Sequence, residues 1–147
     1  MPSDWPTGWD VAWPIVGKTS NTVYYVDDEG VLLALPHAGA HDTGPTAHEN
    51  VEFQKFHFDA NHLPPIVAIF FDRLASQDRA ARKVYADDPS PQWSVGFALI
   101  GGSMLSRAMG SFFLGLSQPQ TPVKMFTTLQ EARPWIRERQ RAHRARV

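Results

Sequence analysis

Apolar positions along this chain form either short unbroken runs or periodic series, and the difference predicts the elements. Ile66 to Phe71 and Val95 to Ile100 are brief, apolar throughout and bounded by turn residues, as strands buried on both faces are, and Val123 to Phe126 reads as another short buried strand. Val23 to Val26 and Val31 to Leu35 are β-rich segments flanking Asp-Asp-Glu-Gly, which predicts a hairpin with a glycine-containing loop. Pro36 to Pro45 and Asp87 to Gln92 read as loops by composition.

Helical spacing appears between these runs. After Gly101 and Gly102, Ser103 is an N-cap, and Met104, Leu105, Ala108, Met109, Phe112 and Leu116 recur on one face. This predicts a helix to about Leu116 with Met104, Ala108, Met109 and Phe112 buried and Arg107, Gly110, Ser111 and Leu114 on the opposite side. Pro119 and Pro122 forbid its continuation. Thr46 and Glu49 fit a capping box opening a helix to about Asp59, although Val51 and Phe58 fall on one side and Phe53, Phe56 and Ala60 on the other. Ser76 to Tyr85 has good helix formers behind an N-terminal Ser and Asp. Thr128 and Glu131 form a second capping box, with Leu129, Ala132 and Ile136 facing the core and Trp135 flanking them; Pro134 predicts a kink or a late start.

The sum is an α/β fold, a mixed sheet of about five strands with four helices in one domain. A chain of 147 residues buries enough surface to fold this way without staples. Residues 1–22 form a Trp-rich arm, 23–140 the domain, and 141–147 a basic tail. Trp5, Trp9 and Trp13 recur every fourth residue, as on a helix face, but Pro6, Gly8 and Pro14 argue for an irregular arm. Three tryptophans must dock somewhere, at about 25 cal/mol per Å² of apolar surface. Their own domain is the first expectation; a partner surface or a lid over a ligand pocket are the alternatives.

Composition narrows the chemistry. There is no cysteine, hence no disulfide, thiolate metal site or cysteine nucleophile. No apolar stretch approaches the roughly 20 residues of a membrane helix, and the N-terminus is unlike a signal peptide, so the expected localisation is cytoplasmic. Residues 1–72 carry two basic and ten acidic side chains, residues 73–147 twelve and five. Either the halves face each other, within one fold or across a dimer, or the basic end takes an acidic partner. The six arginines from Arg133 to Arg146 have no interleaved aromatic platform, and no nucleic-acid partner is expected. His37, His41, His48, His57 and His62, near Asp42 and Glu49, have no fixed ligand spacing, so neither a metal nor another cofactor is expected.

IVAIFFD at 66–72, DRAAR at 78–82, SRAMGSFFLGLSQP at 106–119 and KMFTTLQEARPWI at 124–136 resemble the STAS (SpoIIAA-like) domain, in particular a bacterial STAS/SEC14-like branch. The resemblance covers about residues 20–140 and is most specific in its last third. It implies a non-enzymatic regulatory module that binds a protein partner, in the manner of an anti-sigma-factor antagonist, switched by phosphorylation of a serine at the start of a helix. The Asp-Ser pair typical of phosphorylated members is absent; Ser76 is the nearest hydroxyl and Asp78 stands close by, so the switch is expected to be lost. The SEC14-like component implies an apolar small molecule or lipid held between helices and sheet.

Two functions of different class follow, with an enzyme the weakest third because no nucleophile triad, phosphate loop or carboxylate pair is present. One is partner binding or homodimerisation through Arg107, Gly110 and Leu114, where glycine lets another backbone approach. The other is an apolar pocket lined by Phe53, Phe56, Met104 and Met109. Two weaker features stand beside them. Asp72 lies at the carboxyl end of the central strand, where α/β sites gather. Gly101-Gly102-Ser103 is either an anion cradle of free N–H groups or a plain strand-to-helix turn.

Overall fold

The computed structural model describes residues 5–61, 66–89, 94–104, 107–111 and 121–145. The hairpin is present as β2 (Thr22–Val26) and β3 (Leu32–Pro36), in antiparallel register with Tyr24 opposite Ala34. Its loop turns at Gly30, whose φ of +78° a side chain would oppose. Asp27 Oδ1 accepts from the N–H groups of Glu29 and Val31, both at 2.9 Å. The three expected buried strands are β5 (Ile66–Phe70), β7 (Gly96–Ile100) and β8 (Val123–Phe126). They extend β3 as a parallel block, and β1 (Ile15–Lys18) adds an antiparallel edge to β2, giving the order β1-β2-β3-β5-β7-β8.

Two further strands lie outside this sheet. β4 (Ala40–Asp42) and β6 (Leu74–Gln77) pair parallel to each other, with His41 beside Ser76. The strand count among the described residues is therefore eight rather than about five. β4 falls in the expected loop and β6 in the start of an expected helix. Ala-His-Asp and Leu-Ala-Ser-Gln carry no apolar run, so only their mutual pairing makes them strands.

Covering one sheet face are α1 (Gly44–Asn61), α2 (Arg79–Asp87) and α3 (helical residues 107–111). Phe58 of α1, Ala86 of α2 and Met109 of α3 meet Tyr24, Leu32, Val67, Phe97 and Leu99 there. α1 opens earlier than expected: Thr43 and Thr46 cap reciprocally, Thr43 N–H donating to Thr46 Oγ1 at 2.7 Å and Thr46 N–H to Thr43 Oγ1 at 3.4 Å. Glu49, assigned to the capping box, instead accepts from the Ser20 hydroxyl at 2.6 Å and ties α1 to the β1–β2 turn. α2 begins at Arg79 because Ser76 and Gln77 are held in β6; Asp78 is its N-cap, accepting from Ala81 N–H at 2.8 Å.

The orientation of the segment after β7 also differs from expectation. Arg107 is exposed as predicted, but Met104 is 90% exposed and Ala108 is exposed, while Gly110 is buried. A Cβ on Gly110 would lie 2.8 Å from Met125 Sδ and Cε, so the gap this glycine leaves is filled by β8 of the same chain. Leu105, Phe112, Leu114 and Leu116 lie outside the described residues.

α4 (Leu129–Ala145) crosses the other face. Its capping box forms as read: Glu131 Oε2 accepts from Thr127 N–H at 2.9 Å and Thr128 N–H at 3.3 Å, and Thr128 Oγ1 accepts from Glu131 N–H at 3.2 Å. Leu129, Ala132 and Ile136 are buried against Leu33, Leu35, Ala68 and Ile100. Pro134 sits exposed inside the helix, which runs on to Ala145, well into the segment expected as a tail.

The tryptophan arm completes this second layer. Two successive turns, closed by Trp9 N–H to Pro6 O and Trp13 N–H to Asp10 O at 3.1 Å each, return Trp9 and Trp13 to the core. The fourfold spacing is thus a repeat of β-turns rather than a helix, and Gly8 takes the left-handed position of the first, at φ +78°. The arm docks on its own domain, and its last part is strand β1.

Candidate functional site

A cavity opens at the carboxyl ends of the central strands, with about 320 Å³ of free space. Leu35, Phe70 and Ile100, from β3, β5 and β7, make its apolar floor, and Leu129 adds the first turn of α4. Parallel strands place their last residues side by side, so three separate runs converge on one spot. A single 3-10 turn (Phe71–Arg73) follows β5 and carries Asp72 and Arg73 into the wall. Asp72 accepts from Gly102 N–H at 3.0 Å and Ser103 N–H at 2.9 Å, pinning the exit of β7 to that of β5. Thr127 and Thr128 line one side, and Trp5, Pro6 and Thr7 close the other. The Arg73 guanidinium lies 5.3 Å from the Trp5 ring centroid.

This geometry removes the anion cradle. The N–H groups of Gly102 and Ser103 are taken by Asp72, that of Gly101 donates to Phe126 O at 3.0 Å, and those of Thr127 and Thr128 are taken by Glu131. What is left is a wall of mixed polar and apolar character that includes one carboxylate and one guanidinium, set over apolar residues that are themselves buried.

A second cavity lies on the opposite sheet face beneath α1 and α2 and has only about 30 Å³ of free space, room for one or two water molecules. A buried polar network borders it. The Thr46 carbonyl can only accept, so Asn50 turns Nδ2 toward it at 2.9 Å and presents Oδ1 to the Tyr24 hydroxyl at 2.9 Å. Tyr24 therefore donates to Asn50 and accepts from Gln54 Nε2 at 3.0 Å, which leaves Gln54 Oε1 buried without a partner. Burial pushes the phenols of Tyr24 and Tyr85 far up and the imidazole of His57 down, so all three stay neutral near pH 7. Because α1 turns Asn50, Gln54 and His57 inward beside Val51 and Phe58, its apolar period is faint in the sequence.

The pocket expected from Phe53, Phe56, Met104 and Met109 is not assembled. Phe53 stacks on Tyr24 with centroids 4.4 Å apart and Met109 is half-buried, but Phe56 is 72% exposed on the far side of α1 and Met104 is 90% exposed. Ser76 is not at a helix start; it is exposed on β6, with its Oγ 2.6 Å from His41 Nδ1. Of the expected partner face, Arg107 is exposed, Gly110 faces Met125, and Leu114 lies outside the described residues. His48 stands 3.6 Å from Asp88, and among the described residues no three His, Asp or Glu side chains gather as a metal site. The cleft residues Trp5, Asp72 and Gly102 each carried a signal in the sequence, but only strand order joins them.

Fold and cleft define a single-domain α/β protein with a mixed sheet and helices on both faces. No helix among the described residues is long and apolar enough to cross a membrane. Residues 24–140 match the model of a family described as a domain of unknown function, DUF7793, and the chain belongs to that family. Neither the curated proteins nor the solved structures yield a match.

Proposed function

We propose that this protein is a binding module for a small, mainly apolar molecule, held in the cleft at the carboxyl ends of β3, β5 and β7. The observation that carries this reading is the coincidence there of about 320 Å³ of free space, apolar residues directly beneath it and a few polar groups in its wall, the composition of small-molecule sites in general. The SEC14-like resemblance supports the same ligand class, with the pocket on the α4 side of the sheet rather than under α1. The neutral dye N-phenyl-1-naphthylamine is a suitable probe. It should bind saturably, with a dissociation constant of about 1–100 µM for a ligand of its size. Gly102→Leu should weaken that binding at least about tenfold by filling the space. A Cβ on Gly102 meets only Thr127 Cγ2 at 3.7 Å and Asp72 Oδ2 at 3.8 Å, so the variant should fold. Binding that never saturates, or that Gly102→Leu leaves unchanged, counts against the cleft.

Partner binding or self-association, of the STAS regulatory type, is a second reading. It is supported by Met104, 90% exposed, three residues before exposed Arg107. An isolated exposed apolar side chain is ordinary by itself, so this reading stands on the association test. If this segment mediates association, Met104→Glu should shift the sedimentation coefficient toward the monomer with the circular dichroism unchanged. An unchanged sedimentation profile removes Met104 from any interface.

A further inference from the structure

We propose that the tip of the N-terminal arm, Trp5 to Thr7, is a strap that must lift for a ligand to reach the cleft floor, an inference that rests on the cleft being the ligand site. The floor is closed in this structure: Leu35, Phe70, Ile100 and Leu129 are 2%, 3%, 4% and 5% exposed. An apolar molecule that touches them has to displace something, and the cover differs in how firmly each part is held. Trp9 and Trp13 are buried in the core and anchor the arm. Trp5 is half-buried, and Thr7 and Gly8 are exposed. The tip stands outside the sheet, since β1 begins only at Ile15. Among the described residues, its contacts include a tilted ring at Trp9 (5.4 Å), the edge of Tyr25 (6.3 Å), the Arg73 cation at 5.3 Å and one backbone hydrogen bond, Trp9 N–H to Pro6 O at 3.1 Å. Each is individually weak and breaks without disturbing the core. Between anchor and tip lies the turn at Gly8, at φ +78°; its backbone packs on the Gln130 side chain of α4, a flexible neighbour that can give way, and glycine itself crosses between backbone regions freely.

A strap and a fixed wall predict different kinetics. If Trp5 gates entry, Trp5→Ala raises both the association and the dissociation rate constants of N-phenyl-1-naphthylamine, each by at least about tenfold, the factor expected from losing two ring contacts and one cation–π contact. The equilibrium constant then changes less than either rate. Trp5→Phe, which keeps a ring at the tip, should lie near the parent. Stopped-flow dye fluorescence reads these rates, with circular dichroism confirming the fold of each variant. A rise in dissociation alone, with association unchanged, makes Trp5 a wall and overturns the strap while leaving the cleft reading intact. Dye binding that Gly102→Leu does not weaken overturns the cleft reading itself, so the two failures are distinguishable.

Discussion

Trp9→Ala is expected to lower the stability of the whole domain by about 3–5 kcal/mol, the range for deleting a large aromatic side chain from a core. Trp9 is 6% exposed and sits amid four rings, with centroids at 5.4 Å to Trp5, 5.1 Å to Trp13, 4.9 Å to Tyr25 and 5.4 Å to Phe70. Tyr25 belongs to β2 and Phe70 to β5, so the ring fills the layer between the arm and the strands beneath it. Removing it leaves a cavity that the neighbours close only in part. Urea denaturation should show one cooperative transition at lower midpoint with an unchanged slope. An appended arm would behave otherwise: the variant would lose less than about 1 kcal/mol, within the range of an ordinary surface substitution. Val11→Ala, at a position 70% exposed in the same arm, should stay within about 0.5 kcal/mol of the parent and serves as the control.

The second large effect is expected at Asp27, where Asp27→Ala should also destabilise by about 3–5 kcal/mol. Its side chain is fully buried; one oxygen accepts from Glu29 and Val31 N–H and the other from Arg133, itself only 15% exposed. Truncation leaves two loop N–H groups and a desolvated guanidinium without their acceptor. Glu29, 3.3 Å from Arg133 and 2.7 Å from Arg137, offers only partial replacement from a more exposed position. These guanidinium groups hold the Glu29 carboxyl below its ordinary range, Arg137 through a hydrogen bond first and Arg133 by charge second. The double variant Asp27→Ala/Arg133→Ala should lose clearly less than the sum of the single losses, because the orphaned charge is then gone. Additive losses in that cycle would show that the pair does not couple.

This cluster also accounts for the opposed charge of the two halves of the chain. The acidic hairpin loop and the basic α4 meet within one fold, through Asp27, Glu29, Arg133 and Arg137. Arg139 donates to Val95 O at 2.9 Å, and Arg141 pairs with Glu138 at 2.6 Å. Much of the basic run thus has partners in its own chain.

What was readable from the residues is what local physics decides. Ile66–Phe70 and Gly96–Ile100 are strands because short unbroken apolar runs suit a sheet covered on both faces, whereas Val123–Phe126, expected as buried, is a half-exposed edge strand with Lys124 outward; the Asp-Asp-Glu-Gly loop turns a hairpin because glycine supplies its positive φ; and Thr128 with Glu131 starts α4 because the two side chains satisfy N–H groups only a few residues away. Everything that depends on a distant neighbour was decided by the tertiary structure. β4 and β6 exist only through each other, α1 hides a polar stripe whose partners Thr19, Asn21 and Tyr24 lie far up the chain, and Gly110 turns inward because Met125 fills its gap. The cleft belongs to the same class. Trp5, Leu35, Phe70, Ile100 and Thr127 span most of the chain and carry no common motif; they meet because parallel strands end together and α4 and the arm close over those ends. Side-chain period and capping act over a few residues, whereas strand order acts over the whole chain, and it is strand order that makes the site.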